Sequence, residues 1–287
     1  MQNGFETYQQ RMQRVVNHIN SHLDDDLSLD DLAEVACLSR FHWHRVYRGI
    51  TGETIHSTVR RLKLNRASQA LKHSDNDLAA IAMQAGYSRV ESFARAFKLQ
   101  FGHTPAVFRA SPDFYSQTSI LKLESFAMSI QTENLTYEIK DMPSIRLAAI
   151  HHTGSYNGST AFNKLFKQAV GQNIPMQGHQ MIGLYLDDPS AVAAESLRSI
   201  AGIKIDADFT PTAPLEVFNT YAGRYAVFHY KGPYDRLGKA YDWIFCGWMP
   251  DSAEEPADHP SMDVYLNTPD TTAAEDLRTD ICIPLKG

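Results

Sequence analysis

Apolar residues recur every third and fourth position through the first 110 residues of the chain, then give way to short runs of strand length. Met12, Val15, Val16, Ile19 and Leu23 trace one stripe of an amphipathic helix over Tyr8 to Leu23, which Asp24-Asp25-Asp26 interrupts. Ser28 predicts the cap of a short helix burying Leu29, Leu32, Ala33 and Ala36, with Asp31 placed to favour the helix dipole. After a break at Cys37-Leu38, Ser39 predicts the cap of a second short helix reaching Arg48. Two short helices joined by a few residues, the second rich in Arg, His and aromatics, describe a helix-turn-helix.

The arrangement then occurs again. Gly52 and Thr54 open a long helix to about His73, with Ile55, Val59, Leu62, Ala67 and Leu71 inward. Asp75 or Asp77 caps a short helix bearing Leu78, Ile81, Ala82 and Ala85, and Gly86-Tyr87-Ser88 turns the chain into a second candidate recognition helix from Ser88 to about Phe101. Two such units on one long helix fit successive major-groove segments on one face of a duplex. Residues 111–127 contain Ser-Pro and little periodicity and read as a linker or short connecting helix.

In the remainder an internal repeat replaces the helical period. Residues Pro143–Tyr156 match Tyr221–Tyr234 at an offset of 78, and Tyr185–Arg198 match Tyr265–Arg278 at an offset of 80. Matches of this length indicate duplication of one structural unit. Each copy reads strand (Leu147–His151 or Tyr225–Tyr230), helix (158–171 or 235–247), strand (180–186 or 262–266), long loop, strand (199–206 or 278–285). A cleft is expected at the junction of the copies. The fold class is therefore multidomain: an all-α double helix-turn-helix domain at 1–110, a linker at 111–127, and an α+β domain at 128–287 built from a duplicated strand-helix-strand-strand unit.

Composition narrows the function. With 287 residues, 43% hydrophobic and 21% charged, the chain can build about two cores and is neither fibrous nor disordered. Cys37, Cys246 and Cys282 lie far apart and form neither a disulfide framework nor a metal knuckle, which fits a reducing compartment. No apolar run reaches the ~20 residues of a membrane span, and the N-terminus lacks signal-peptide character, so a cytoplasmic location and no membrane partner are expected. The net charge of −6 divides unevenly: residues 1–110 carry 14 basic and 11 acidic residues, and the rest carry 13 and 22. Seven of the twelve histidines also lie in the first part. A mildly basic segment joined to an acidic one suits a nucleic-acid partner for the first, although a solvated charged face gives the same imbalance.

Several fixed positions carry a resemblance. Ala33, Cys37-Leu38-Ser39, Val46-Tyr47, Gly52, Arg61, Arg66-Ala67, Ile81-Ala82, Gly86-Tyr87, Phe93, Arg95, Phe97-Lys98, Phe101-Gly102, Thr104-Pro105 and Arg109 resemble, over roughly residues 8–110, the DNA-binding domain of AraC/XylS transcription regulators. The resemblance implies double-stranded promoter DNA as a partner. It places base readers on the outer face of each second helix: Phe41, His44 and Arg45 with Arg40 in the first unit, and Val90, Glu91 and Arg95 with Arg89 in the second. Spacing supports this independently, because positions 41, 44, 45 and 48 share a stripe while Trp43, Val46 and Tyr47 lie towards the core. Arg45 can bridge guanine O6 and N7, and Phe41 can pack on a thymine methyl. The competing readings are a partly buried Phe41 and arginines that only solvate the surface. Glu91 repels phosphates unless it accepts from a cytosine amine.

The duplicated segment, over about 129–287, resembles the GyrI-like small-molecule-binding domain. The resemblance rests on the paired His-x2-Gly-x-Tyr elements, on Trp248-Met-Pro250 and on Asp263-Val-Tyr265-Leu-Asn267-x-Pro269. It implies an effector domain with an acidic residue before the second Tyr-Leu-Asn element and cationic, aromatic ligands in several members. Asp263 holds that place, and its repeat partner is Gly183, so the duplication carries a carboxylate on one side only. An unpaired buried charge calls for a cationic partner. Tyr156, Tyr234, Trp243, Trp248 and Tyr265 would complete the ligand site. For each aromatic, core packing is the competing reading, and for Asp263 a strand-edge carboxylate paired with an arginine.

No cofactor is expected. His151-His152 with His179 or His229 fit no compact metal-ligand set. The glycine-rich Gly154–Ser159 stretch lacks the Lys-Ser/Thr of a phosphate loop, and Ser155 and Ser159 have no nucleophile-elbow context. The function expected is that of a non-enzymatic, ligand-responsive transcription factor, its ligand altering DNA affinity or contact with RNA polymerase. The GyrI-like resemblance implies two alternatives that stay open: a hydrolase of strained electrophiles, with Asp263 as general base beside Tyr156 or Tyr234, and a gyrase-type protein-interaction module.

Overall fold

Residues 7–111, 135–156, 160–174 and 180–287 are described by the computed structural model, so the expected linker lies outside the described residues from position 112 onward. Seven helices occupy the described residues of the first part. α1 (Tyr8–Ser21) starts in a capping box between Thr7 and Gln10, and α2 (Leu29–Ala36) is capped by Ser28, whose side chain accepts from the Asp31 N–H. α3 (Trp43–Thr51) begins later than Ser39 would predict. The Ser39 side chain accepts from the Phe41 N–H, and its carbonyl accepts from the N–H groups of His42 and Trp43. Those bonds commit residues 40–42 to a turn, and α3 is left with His42 as a cap whose side chain bonds the His259 carbonyl and not the helix.

α4 (Ile55–His73) is capped by Thr54, and α5 (Leu78–Gln84) by Asp77 rather than Asp75. α6 (Val90–Phe101) ends at Gly102 with φ 78°, a conformation that favours glycine. α7 (Pro105–Ala110) is capped by Thr104 with proline in its first turn.

Among the described residues the second part is built on one eight-stranded antiparallel sheet: β1 (Thr136–Met142), β2 (Arg146–Thr153), β3 (Met181–Tyr185), β4 (Arg198–Lys204), β5 (Glu216–Asn219), β6 (Gly223–Lys231), β7 (Ser261–Tyr265) and β8 (Arg278–Pro284), in the order β1-β6-β8-β7-β3-β4-β2-β5. The repeat is visible in three dimensions. α8 (Thr160–Gly171) follows β2, and α9 (Leu237–Trp243), continued by a wider π-helical turn over Ile244–Trp248, follows β6. The two copies join at β3 and β7, where Gly183 pairs with Asp263 and the register runs symmetrically outward to Met181–Tyr265 and Tyr185–Ser261. β1 and β5 are additions to the expected units, and each pairs with the opposite copy: β1 with β6, and β5 with β2.

The buried clusters do not follow the division of the sequence. Phe93, Phe97 and Phe108 centre a core belonging to the second helix-turn-helix unit alone. The core of the first unit, including Val16, Leu32, Trp43 and Tyr47, is instead continuous with Phe228, Tyr241, Phe245 and Ile281 of the sheet domain. The first unit is docked on the sheet domain, while the second keeps its own interior.

Candidate ligand cleft and DNA-reading helices

Strand alternation sends Met262 and Val264 to one face of the sheet and leaves Ser261, Asp263 and Tyr265 on the other, the face that carries α8 and α9. Gly183 and Tyr185 lie on that same face of the neighbouring strand. A β-carbon at Gly183 would lie 3.0 Å from the Tyr185 hydroxyl, so the missing side chain gives the Tyr185 ring its room. The Tyr185 and Tyr265 hydroxyls meet at 2.6 Å across the junction of the copies. Tyr156 packs edge-on to Tyr185 at 4.9 Å, and Tyr234 edge-on to Tyr265 at 5.2 Å. A cavity of about 20 Å³ remains on the Tyr156 side, bounded by Phe162, Gly183 and Tyr185 among others.

Asp263 stands at the centre of this aromatic lining, 1% exposed, and accepts a 2.8 Å hydrogen bond from the Tyr241 hydroxyl. Burial pushes its carboxyl up to about 7, against the opposing pull of the Tyr241 hydroxyl and the positive charge of Arg45. The group is thus poised between neutral and ionised at physiological pH, and a cation brought beside it favours the ionised form.

Of the expected ligand residues, Tyr156, Tyr234, Asp263 and Tyr265 are gathered here. Trp243 and Trp248 close instead around Phe228, edge-on at 6.0 Å and 4.9 Å, and Trp248 also meets Tyr137 of β1. Tyr185 and Tyr241 belong to the cleft and were not singled out from sequence. Tyr185 was within reach, since the offset of 80 makes it the repeat partner of Tyr265; no repeat or local pattern marks Tyr241.

The two candidate DNA-reading helices differ in exposure. In the second unit Arg89, Glu91 and Arg95 are exposed and Val90 half-buried; Arg95 shares an open groove with Arg60, Tyr87 and Lys98. In the first unit Arg40 is exposed, its guanidinium 5.0 Å from the half-buried Phe41 ring, whereas His44 is 5% and Arg45 9% exposed. His44 donates to Asp188 at 3.0 Å. Burial alone would raise the Asp188 carboxyl, but the His44 hydrogen bond and the Arg45 charge outweigh it and hold it well below the usual range. Arg45 lies over the Tyr241 ring at 4.7 Å and near the Phe245 ring at 5.8 Å.

His151 pairs with Glu216 at 2.6 Å and His229 with Asp280 at 2.8 Å; His179 and the 157–159 part of the glycine-rich stretch lie outside the described residues. Among the described residues no cluster of three metal-ligating side chains occurs, and no helix is long and apolar enough to cross a membrane.

Comparison with known proteins gives two matches along the chain. Residues 135–286 match the GyrI-like small molecule binding domain, and residues 32–111 match a helix-turn-helix domain. The chain is similar to the right origin-binding protein of Escherichia coli (strain K12), 33% identical over 129 residues, 44% of each chain. It is also similar to the transcriptional regulator Rob of Salmonella typhimurium, 35% identical over 96 residues, 33% of each chain. The alignments thus span less than half the length of these curated relatives. Among solved structures, the EcmrR C-terminal domain aligns at a TM-score of 0.45 with 15% identity, over 53% of this chain and 98% of that one.

Proposed function

Because the chain belongs to the GyrI-like small-molecule-binding family and carries an AraC-type helix-turn-helix domain ahead of it, we propose that it is a cytoplasmic, DNA-binding transcription regulator governed by a small cationic aromatic effector. In this reading residues 1–110 bind promoter DNA, 111–127 connect, and 128–287 sense the effector. Arg89, Glu91 and Arg95 read one major-groove segment; Arg40, Phe41, His44 and Arg45 read the next. Tyr156, Tyr234, Tyr265 and Asp263 hold the effector, and Trp243 and Trp248 support the wall behind them. The effector acts on DNA affinity or on contact with RNA polymerase.

One observation carries the proposal: a buried carboxylate at the meeting point of two copies of one unit, ringed by tyrosines, in a chain whose second helix-turn-helix unit presents exposed arginines. A cation between aromatic faces beside a desolvated carboxylate gains from both.

The test is a thermal-shift screen of cationic and neutral aromatic compounds on the full chain and on Asp263→Asn, combined with selection of bound duplexes from genomic fragments. Cationic compounds should stabilise the wild type and not the variant. Their binding should tighten as pH rises through about 7, because the ionised carboxylate is the binding form. Arg95→Ala should weaken binding to a selected duplex by about 1–3 kcal/mol. Failure to prefer any fragment over competitor duplex would refute the DNA-reading role. Product formed from a bound compound, and lost in Asp263→Asn, would support a hydrolase instead.

A further inference from the structure

α3, the first-unit helix expected to enter a major groove, packs on the sheet domain beside Tyr241, the hydrogen-bond partner of Asp263. Basic side chains of the helix and of the turn before it meet carboxylates of the sheet domain: on α3 His44 meets Asp188 and Arg48 pairs with Asp242, and in the turn Arg40 lies 3.8 Å from Asp258. Asp188 comes from the first copy of the repeat, and Asp242 and Asp258 from the second, so both halves of the domain hold the helix. The approach is close. A β-carbon at Gly49 would fall 2.5 Å from the Cys246 α-carbon in the π-helical turn, and the Cys246 thiol reaches the Arg45 carbonyl at 3.7 Å. Of the side chains that face phosphates and bases in the proposed DNA complex, Arg40, His44 and Arg48 are here held by carboxylates and Arg45 by aromatic rings, and one helix face cannot serve both partners.

We propose that α3 is an internal occupant of the effector cleft, with Arg45 filling the place of the effector's cation, so that effector and first DNA-reading helix exclude one another from a single site. The inference rests on the effector reading above and specifies it. The Arg45 guanidinium lies on the face of Tyr241, the residue whose hydroxyl donates to Asp263. What the cleft accepts from its own chain defines the chemistry of its ligand: a planar, delocalised cation such as an amidinium or guanidinium, attached to a ring that can stack on tyrosine. Entry of that ligand displaces Arg45, α3 leaves, and the first unit becomes available to DNA.

His44 Nε2 and Arg48 Nε are buried without a hydrogen-bond partner among the described residues, so closure leaves polar groups unsatisfied. A protein whose binding-competent state is a fraction of the population binds with its affinity reduced by that fraction, and an agent that opens it restores the affinity. The coupling is reciprocal, so DNA that captures α3 also tightens effector binding.

The test uses the full chain with two independent opening variants. Gly49→Ala forces the helix off the π-helical turn while favouring helix formation, and Asp242→Lys turns the Arg48 pair repulsive. Asp208→Lys, at an exposed position outside this contact, is the charge-matched control. Benzamidine serves as the planar cationic probe, and fluorescence anisotropy follows a labelled duplex selected with the wild type at low ionic strength. Both opening variants should tighten duplex binding by about tenfold or more, and the control by less than about twofold. Benzamidine should tighten the wild type and leave Gly49→Ala unchanged. Arg45→Ala should weaken binding more in the Gly49→Ala background than in the wild type, where the side chain is occupied elsewhere. Equal affinity of the wild type and both opening variants overturns the proposal, as does benzamidine weakening or not affecting the wild type. If benzamidine protects the wild type but not Asp263→Asn against heat while DNA binding ignores it, the occlusion is wrong and the effector cleft stands. If no variant selects a duplex, the DNA-binding reading itself fails.

Discussion

At Asp263 two opposed influences act on one carboxyl: burial raises its pKa to about 7, while the Tyr241 hydroxyl and the Arg45 charge pull it down. In the unfolded chain the same group titrates near 4, so the folded state holds the proton more tightly. Its contribution to stability is therefore complete below about pH 4 and is lost as pH rises towards 7. Asp263→Asn keeps the shape without the titration. Denaturation measured across this window should show the variant gaining on the wild type by about 2–4 kcal/mol; parallel curves would mean that the carboxyl is not desolvated in solution. His42 acts in the opposite direction, since burial lowers its imidazole to about 3 and its contribution is lost as pH falls from about 6.5 towards that value. Asp263 was legible in sequence because a repeat exposes its own asymmetries. Tyr241 and its contact with Arg45 were not, because a side chain's partner 196 residues away leaves no local pattern.

Among the elements, helices with caps were the most legible. Ser28, Thr54 and Asp77 each accept a backbone N–H at the start of the expected helix, and Asp77→Ala should cost about 1 kcal/mol. Ser39 misled because the same side-chain chemistry that caps a helix also closes a turn. β1 and β5 were missed for a different reason. β1 is exposed along nearly its whole length, and both strands are held by pairing with a distant copy rather than by an apolar face of their own. The separate core of the second unit makes a sharper prediction. Phe97 is fully buried against Phe93, Phe101 and Phe108, and Phe97→Ala should destabilise that unit by about 3–5 kcal/mol. Calorimetry should then resolve an early transition for the second unit, with the sheet domain and the docked first unit melting later as before.

For the whole molecule, the sequence divides at the linker, but the interior divides inside the DNA-reading part. The docked and free halves of that part should differ in how they feel salt. Each phosphate contact contributes about 0.9 to the slope of log affinity against log salt on B-form DNA. With only the second unit engaged the slope is shallow, and Gly49→Ala should steepen it by the contacts that Arg40, His44, Arg45 and Arg48 add. An unchanged slope would mean that α3 never reaches the duplex. Domain order and fold class could be read from periodicity and repetition, because both are properties of contiguous sequence. The docking of α3 could not: it arises from a handful of basic and acidic residues drawn from three separate stretches, each of which, taken locally, looks like ordinary solvated surface.

The axis relating the two copies passes through the facing pair Gly183 and Asp263. Were the halves separate and identical chains, each would have to present the same residue at that point. An aspartate there would confront its twin in a dry interior, and a glycine would leave no charge at all. Halves that have diverged, as they can within one polypeptide, can install a single anion on their line of symmetry and keep the opposite position bare for a tyrosine ring. Linking the two halves in one polypeptide is thus what permits a pocket with a preferred orientation, and hence a guest that enters one way round.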